Sequence, residues 1–172
     1  MGTLGTVLLA EDRQDDVLLI QKAIERAGFQ NPISVVPDGR ETINYLKGED
    51  IYADRETFPF PILLILDLNM PGINGLQVLK WLRSQPQMAH LPVVVLTASP
   101  YQKDMQQVYE LGANSFLVKS SDFEEFAAKI KEMGDFWLAR VQVPGAVLPP
   151  ELPPSPPAGP TPPGGSSPLG AA

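Results

Sequence analysis

Cysteine is absent from the 172 residues, and histidine occurs once, as His90. Without thiols the chain can form neither disulfides nor thiolate metal centres, a usage compatible with a reducing cytoplasm, where the protein is expected to reside. Basic residues are also scarce: 13 Lys and Arg face 20 Asp and Glu, leaving a net charge of −7. No Lys/Arg cluster interrupts this, so nucleic acid is not expected as a direct partner, because phosphate binding needs a positive footprint. No apolar run approaches membrane-spanning length, and the N-terminus lacks a basic segment followed by a long apolar one; neither a membrane span nor a secretion signal is expected. A phosphate-cradling glycine loop is missing as well, which disfavours a nucleotide-dependent redox carrier.

Proline, by contrast, is plentiful and unevenly spread. Eleven of the 19 prolines fall in residues 144–172, a stretch whose one charge is Glu151 and which has no aromatic residue. Such a segment buries too little surface to offset chain entropy and is expected to be a disordered or polyproline-like tail. Residues 1–143 remain, enough for one ordinary core.

Within that part, short apolar runs alternate with helical periods. "TVLLAED" (6–12), "ISVV" (33–36), "ILLILD" (62–67), "LPVVVLT" (91–97) and "NSFLVK" (114–119) read as strands. Helices are predicted over 15–27, with Val17, Ile20 and Ile24 on one face, and over 38–48, 75–85, 102–112 and 122–140. Leu76, Leu79 and Leu82 are expected to face inward, and Gly28, Gly48 and Gly112 supply stops. A polar loop over 49–61 is long for a compact α/β unit. Near-continuous apolar strands alternating with helices predict a three-layer α/β sandwich around a parallel sheet.

Ligands of open parallel sheets gather beyond the carboxyl ends of the strands. Here the first strand ends on Glu11 and Asp12, the third on Asp67, the fourth on Thr97 and the fifth on Lys119. Any one of them alone reads as a helix cap, a turn former or a solvated side chain; their convergence at one edge does not. Clustered carboxylates repel one another, so a cation is expected, and oxygen-only ligands favour Mg²⁺, Mn²⁺ or Ca²⁺ over zinc. Lys119 would balance the remaining charge.

The blocks "LLAED", "LLILDLNMPGINGLQVL", "VVVLTAS" and "NSFLVKS" resemble, in order and spacing, the receiver domains of bacterial two-component response regulators. The resemblance covers residues 4–140 and implies a five-stranded parallel sheet of order 2-1-3-4-5. It implies that Asp67 takes a phosphoryl group from a sensor histidine kinase. Glu11, Asp12, Asp67 and the backbone carbonyl of Asn69 would hold Mg²⁺, or Mn²⁺, while Thr97 and Lys119 would contact the phosphoryl group. Thr97 and Phe116 would form the switch, Phe116 being either that or an ordinary core aromatic. Ser120 stands where many members carry a cis proline, which leaves that loop's geometry open.

The helix pattern ends near Arg140 with no DNA-binding domain after it, so the chain reads as a stand-alone regulator. The loop 49–61 and "DFWLARV" (135–141) resemble the small regulators that accompany phytochrome-type histidine kinases. Phe136 and Trp137 are candidates for a homodimer contact; alternatively Trp137 folds back on its own domain. Two rival functions stay open: a receiver-like scaffold that is never phosphorylated, and an aspartate-nucleophile phosphohydrolase. The second wants an acid where Asn69 stands. His90, at the amino end of the fourth strand, reads as surface.

Overall fold

A computed structural model describes residues 4–98 and 101–138; the tail expected over 144–172 and the domain boundary at 143 lie outside them. Strand and helix alternate as β1 (Val7–Ala10), α1 (Gln14–Arg26), β2 (Ile33–Val36), α2 (Gly39–Lys47), β3 (Leu63–Leu66), α3 (Gly75–Arg83), β4 (Val93–Thr97), α4 (Gln102–Glu110), β5 (Ser115–Val118) and α5 (Phe123–Trp137). A single 3-10 turn, Asp50–Tyr52, lies between α2 and β3. The strands pair in parallel as one sheet of order β2-β1-β3-β4-β5, the order that the resemblance implied.

Side chains alternate across a strand, and here both faces are covered. Val7 and Leu9 of β1 pack with Val17, Ile20 and Ile24 of α1 and with Phe126 and Ile130 of α5. Leu8 and Ala10 point the other way, into Leu46 of α2, Val78 and Leu82 of α3 and Val108 of α4. The inner strands β1, β3 and β4 are wholly buried, whereas the edge strands β2 and β5 keep partial exposure. Each fully buried Leu, Ile or Phe contributes about 1.5–3 kcal/mol. That burial offsets the chain entropy lost in folding.

The helix ends follow local chemistry. Asp38 caps α2 by accepting from the Glu41 amide, and Asn74 and Gln77 form a reciprocal capping box on α3. The expected stops Gly28, Gly48 and Gly112 have φ of 87°, 70° and 89°, a region that favours glycine. One inward position differs from expectation. Leu76 is half-buried, and the buried face of α3 is Gly75, Val78, Leu79 and Leu82, the i, i+3, i+4, i+7 stripe.

The segment 49–61 is a long loop, as expected, and its side chains tie it down. Tyr52 is buried, and its ring lies 5.1 Å from Tyr45 and 5.2 Å from Phe58. The Arg55 guanidinium donates to the carbonyls of Tyr45 and Leu46 at 2.8 Å each, closing the end of α2, and to that of Phe58 at 3.2 Å. At the end of α5 the two aromatics divide. Phe136 is exposed, but Trp137 is half-buried against the core between the sheet and helices α1 and α5. Phe126, Ile130, Met133 and Trp137 fall on one helical stripe, so Trp137 folds back onto its own domain rather than projecting. Among the described residues no helix is long and apolar enough to cross a membrane.

Candidate functional site

The backbone ladder continues one residue past the strands and fixes the side chains at the rim. The Glu11 amide donates to the Val36 carbonyl at 3.1 Å, that of Asp67 to Ala10 at 3.0 Å, and that of Lys119 to Thr97 at 2.8 Å. Thr97, the last residue of β4, is fully buried beside Val118. The residues expected at one edge from sequence are therefore brought together there.

Carboxylate oxygens of Glu11, Asp12 and Asp67 lie within 4.8 Å of one another; Glu11 and Asp67 are buried and Asp12 is exposed. The Lys119 ammonium donates to Glu11 Oε2 at 2.6 Å, to Asp16 Oδ2 at 3.0 Å and to Asp67 Oδ2 at 3.2 Å. Asp67 Oδ1 accepts from the Asn69 amide at 3.0 Å, and Glu11 Oε1 from that of Arg13 at 3.1 Å. Asn69 thus joins the cluster through its backbone, on the exposed turn after β3. Asp16 escaped the sequence reading because an acid in the first turn of a helix has an ordinary electrostatic reason to be there. Its one available signal was its place one helical turn beyond Asp12.

Burial raises the Glu11 carboxyl to about 7; the Asp67 charge adds to the rise and the Lys119 hydrogen bond opposes it. For Lys119, burial works against the charged form, but the bond to Glu11 and the Asp67 charge outweigh it and hold the group above the ordinary lysine value. Four acids around one ammonium leave the site negative, with hard oxygen donors at its mouth. That donor set fits a small hard dication better than a soft metal.

Around this centre, Gly75 lets α3 start against β3: a Cβ there would run into the Asp67 carbonyl oxygen and the Leu68 Cα. A cleft of about 400 Å³ opens beside the acids, lined by Leu68, Asn69, Met70, Asn74, Leu76 and Asp104. Phe116 is half-buried against the core on the α2, α3 and α4 side. No peptide among the described residues is cis, and Ser120 serves the start of α5, its Oγ accepting from the Asp122 amide at 3.2 Å. His90 is exposed, as expected.

The model of the response regulator receiver domain matches residues 7–131. The chain belongs to the receiver family of response regulators. This receiver is 32% identical over 140 residues to response regulator Rcp1 of Synechocystis, covering 81% of this chain and 93% of that one. It is equally 32% identical to the probable methanogenesis regulatory protein FilR2 of Methanothrix harundinacea, over 139 residues, 81% of this chain and 87% of FilR2. The crystal structure of the phosphorylated cyanobacterial phytochrome response regulator RcpA superposes on the receiver with a TM-score of 0.72 at 33% identity, over 79% and 95% of the two chains. The Mn²⁺-bound form of Rcp1 gives 0.71 at 31%, over 81% and 99%. The sheet order and the doubly wound architecture are those of this fold.

Proposed function

We propose that this receiver is phosphorylated on Asp67 by a sensor histidine kinase. The single observation that carries the reading is the Asp67 carboxylate at the sheet rim, with one oxygen on the Asn69 amide, the other on Lys119, and Glu11 and Asp12 within 4.8 Å. An Asp67 oxygen attacks the phosphorus of a phosphohistidine; the new P–O bond forms as the P–N bond breaks, and the electron pair leaves on the imidazole nitrogen, which takes a proton from solvent. Such transfer needs position and charge neutralisation more than covalent help. Lys119 pairs with the phosphoryl oxygens, and the Thr97 hydroxyl donates to them. Glu11, Asp12, Asp67 and the Asn69 carbonyl would hold Mg²⁺ or Mn²⁺, which when bound supplies positive charge to the phosphoryl oxygens; Mn²⁺ in Rcp1 supports that assignment.

The turn of Thr97 toward the phosphoryl group draws Phe116 inward and alters the face of α4, β5 and α5. Residues 1–143 form the functional unit, with 144–172 an appended segment. The phytochrome link of RcpA supports a phytochrome-type kinase as the donor, and the exposed Phe136 supports a homodimer contact at the end of α5.

Incubation with acetyl phosphate and Mg²⁺, followed by intact mass measurement, tests the central claim. The wild-type protein is expected to gain the mass of one phosphoryl group, and Asp67→Asn none. An unmodified wild type would favour the scaffold reading. Sustained release of phosphate from a phosphomonoester would favour a phosphohydrolase, although Asn69 offers no acid to the leaving group. Transfer profiling against purified sensor kinases decides the donor.

A further inference from the structure

An ammonium has three N–H bonds, and all three of Lys119's end on carboxylates: Glu11, Asp16 and Asp67. Its side chain is 9% exposed, so water offers it little alternative. Of the three bonds, that to Asp67 is the longest. Glu11 and Asp67 belong to the group able to hold a cation, whereas Asp16 does not. Asp16 sits instead on α1, where the same Oδ2 also lies 3.8 Å from Arg13 Nε. It is the one acid partner of the lysine outside the cation cluster. An ammonium shared among three anions is drawn less fully to any one of them, and a fourth anion must compete for it.

We infer that Asp16 is a positioning residue: it seats Lys119 from the α1 side and competes with the phosphoryl group for the lysine's third N–H. This rests on the phosphoacceptor reading of Asp67. Removing Asp16 frees one N–H and deletes one negative charge about the site, and both effects favour an anionic occupant of Asp67. The consequence is a receiver whose readiness for phosphorylation is set by a residue that touches neither the metal ligands' cation nor the phosphoryl group.

The test uses the full chain and two readouts. First, the side-chain ammonium signal of Lys119 is followed by ¹⁵N NMR in metal-free protein, assigned by its loss in Lys119→Ala. A fully hydrogen-bonded ammonium exchanges its protons slowly enough to be seen; Asp16→Ala, which removes the acceptor itself, is expected to broaden the signal away, and Asp16→Glu to keep it. Second, the half-saturating concentration of acetyl phosphate is measured at saturating Mg²⁺. Asp16→Asn is expected to lower it at least threefold with the maximal rate changed less than twofold, and Asp16→Glu to return it toward wild type. Asp15→Asn removes the same charge from an exposed neighbour on the same turn and is expected to stay within 1.5-fold.

The inference is overturned if Asp16→Ala keeps the ammonium signal, if the half-saturation of Asp16→Asn stays within twofold of wild type, or if Asp15→Asn produces an equal fall. A wild type that takes up no phosphoryl group overturns the function proposed for Asp67, and with it the competition. An active wild type with an unaltered Asp16→Asn overturns the competition alone.

Discussion

Single side chains set two properties of this receiver that have different ranges. At the rim, Lys119 reaches Glu11, Asp16 and Asp67 from just beyond β5, and its burial leaves those contacts less screened by solvent than surface ion pairs of the same length. Away from it, Tyr52 is buried and donates to Glu41 Oε2 at 2.8 Å. Burial first, and then the Glu41 hydrogen bond, hold the phenol well above its ordinary value. The folded state therefore keeps this proton more tightly than the unfolded one. The contribution is whole below about pH 10, the unfolded value, and is lost as the pH rises further. Chemical denaturation between about pH 9 and 11 should show a steeper loss of stability for the wild type than for Tyr52→Phe. Parallel curves would mean that the folded phenol gives up its proton at the same pH as the unfolded one. Asp16 and Arg55 show what a sequence conceals at this scale, since each is defined by a partner elsewhere in the chain. An acid in a first helical turn and an arginine in a polar loop both have bland local explanations.

Elements were far more legible, because their signals are local. Apolar runs four or five residues long became the strands, and three of the glycines expected to stop helices adopt the left-handed conformation that makes them good at it. What the pattern could not supply was the seating of one element on another. Gly75 opens α3 against the carbonyl of Asp67, and its amide donates to the Leu68 carbonyl at 3.1 Å. A methyl group there must move either the helix or the turn that carries Asp67. Gly75→Ala is expected to cost about 1–3 kcal/mol in a denaturant titration, as overpacking does. It should also slow phosphoryl uptake from acetyl phosphate more than its stability loss explains. A variant with wild-type stability and uptake would show that the turn yields freely. The loop 49–61 is the long connection expected, but its composition did not show that Tyr52, Arg55 and Phe58 pin it to the end of α2.

For the whole molecule, the homodimer proposed above would form through the end of α5. Trp137 belongs to its own core, so its truncation would confuse folding with assembly. Phe136 is 49% exposed and carries less of that confusion, although its ring packs edge-on against Trp137 at 4.7 Å. Light scattering of Phe136→Ala is expected to give half the wild-type mass, with circular dichroism showing the helix content unchanged. A monomeric wild type, or an unaltered dimer in the variant, removes the contact. The sheet order also has a temporal side. Lys119 is 108 residues from Glu11 and 52 from Asp67, and its amide is held only once β5 lies beside β4. A nascent chain released before that last edge docks has its acids but no counter-charge among them. If Asp67 receives the signal as proposed, completion of the fold and competence to receive it are one event, and an unfinished copy is mute.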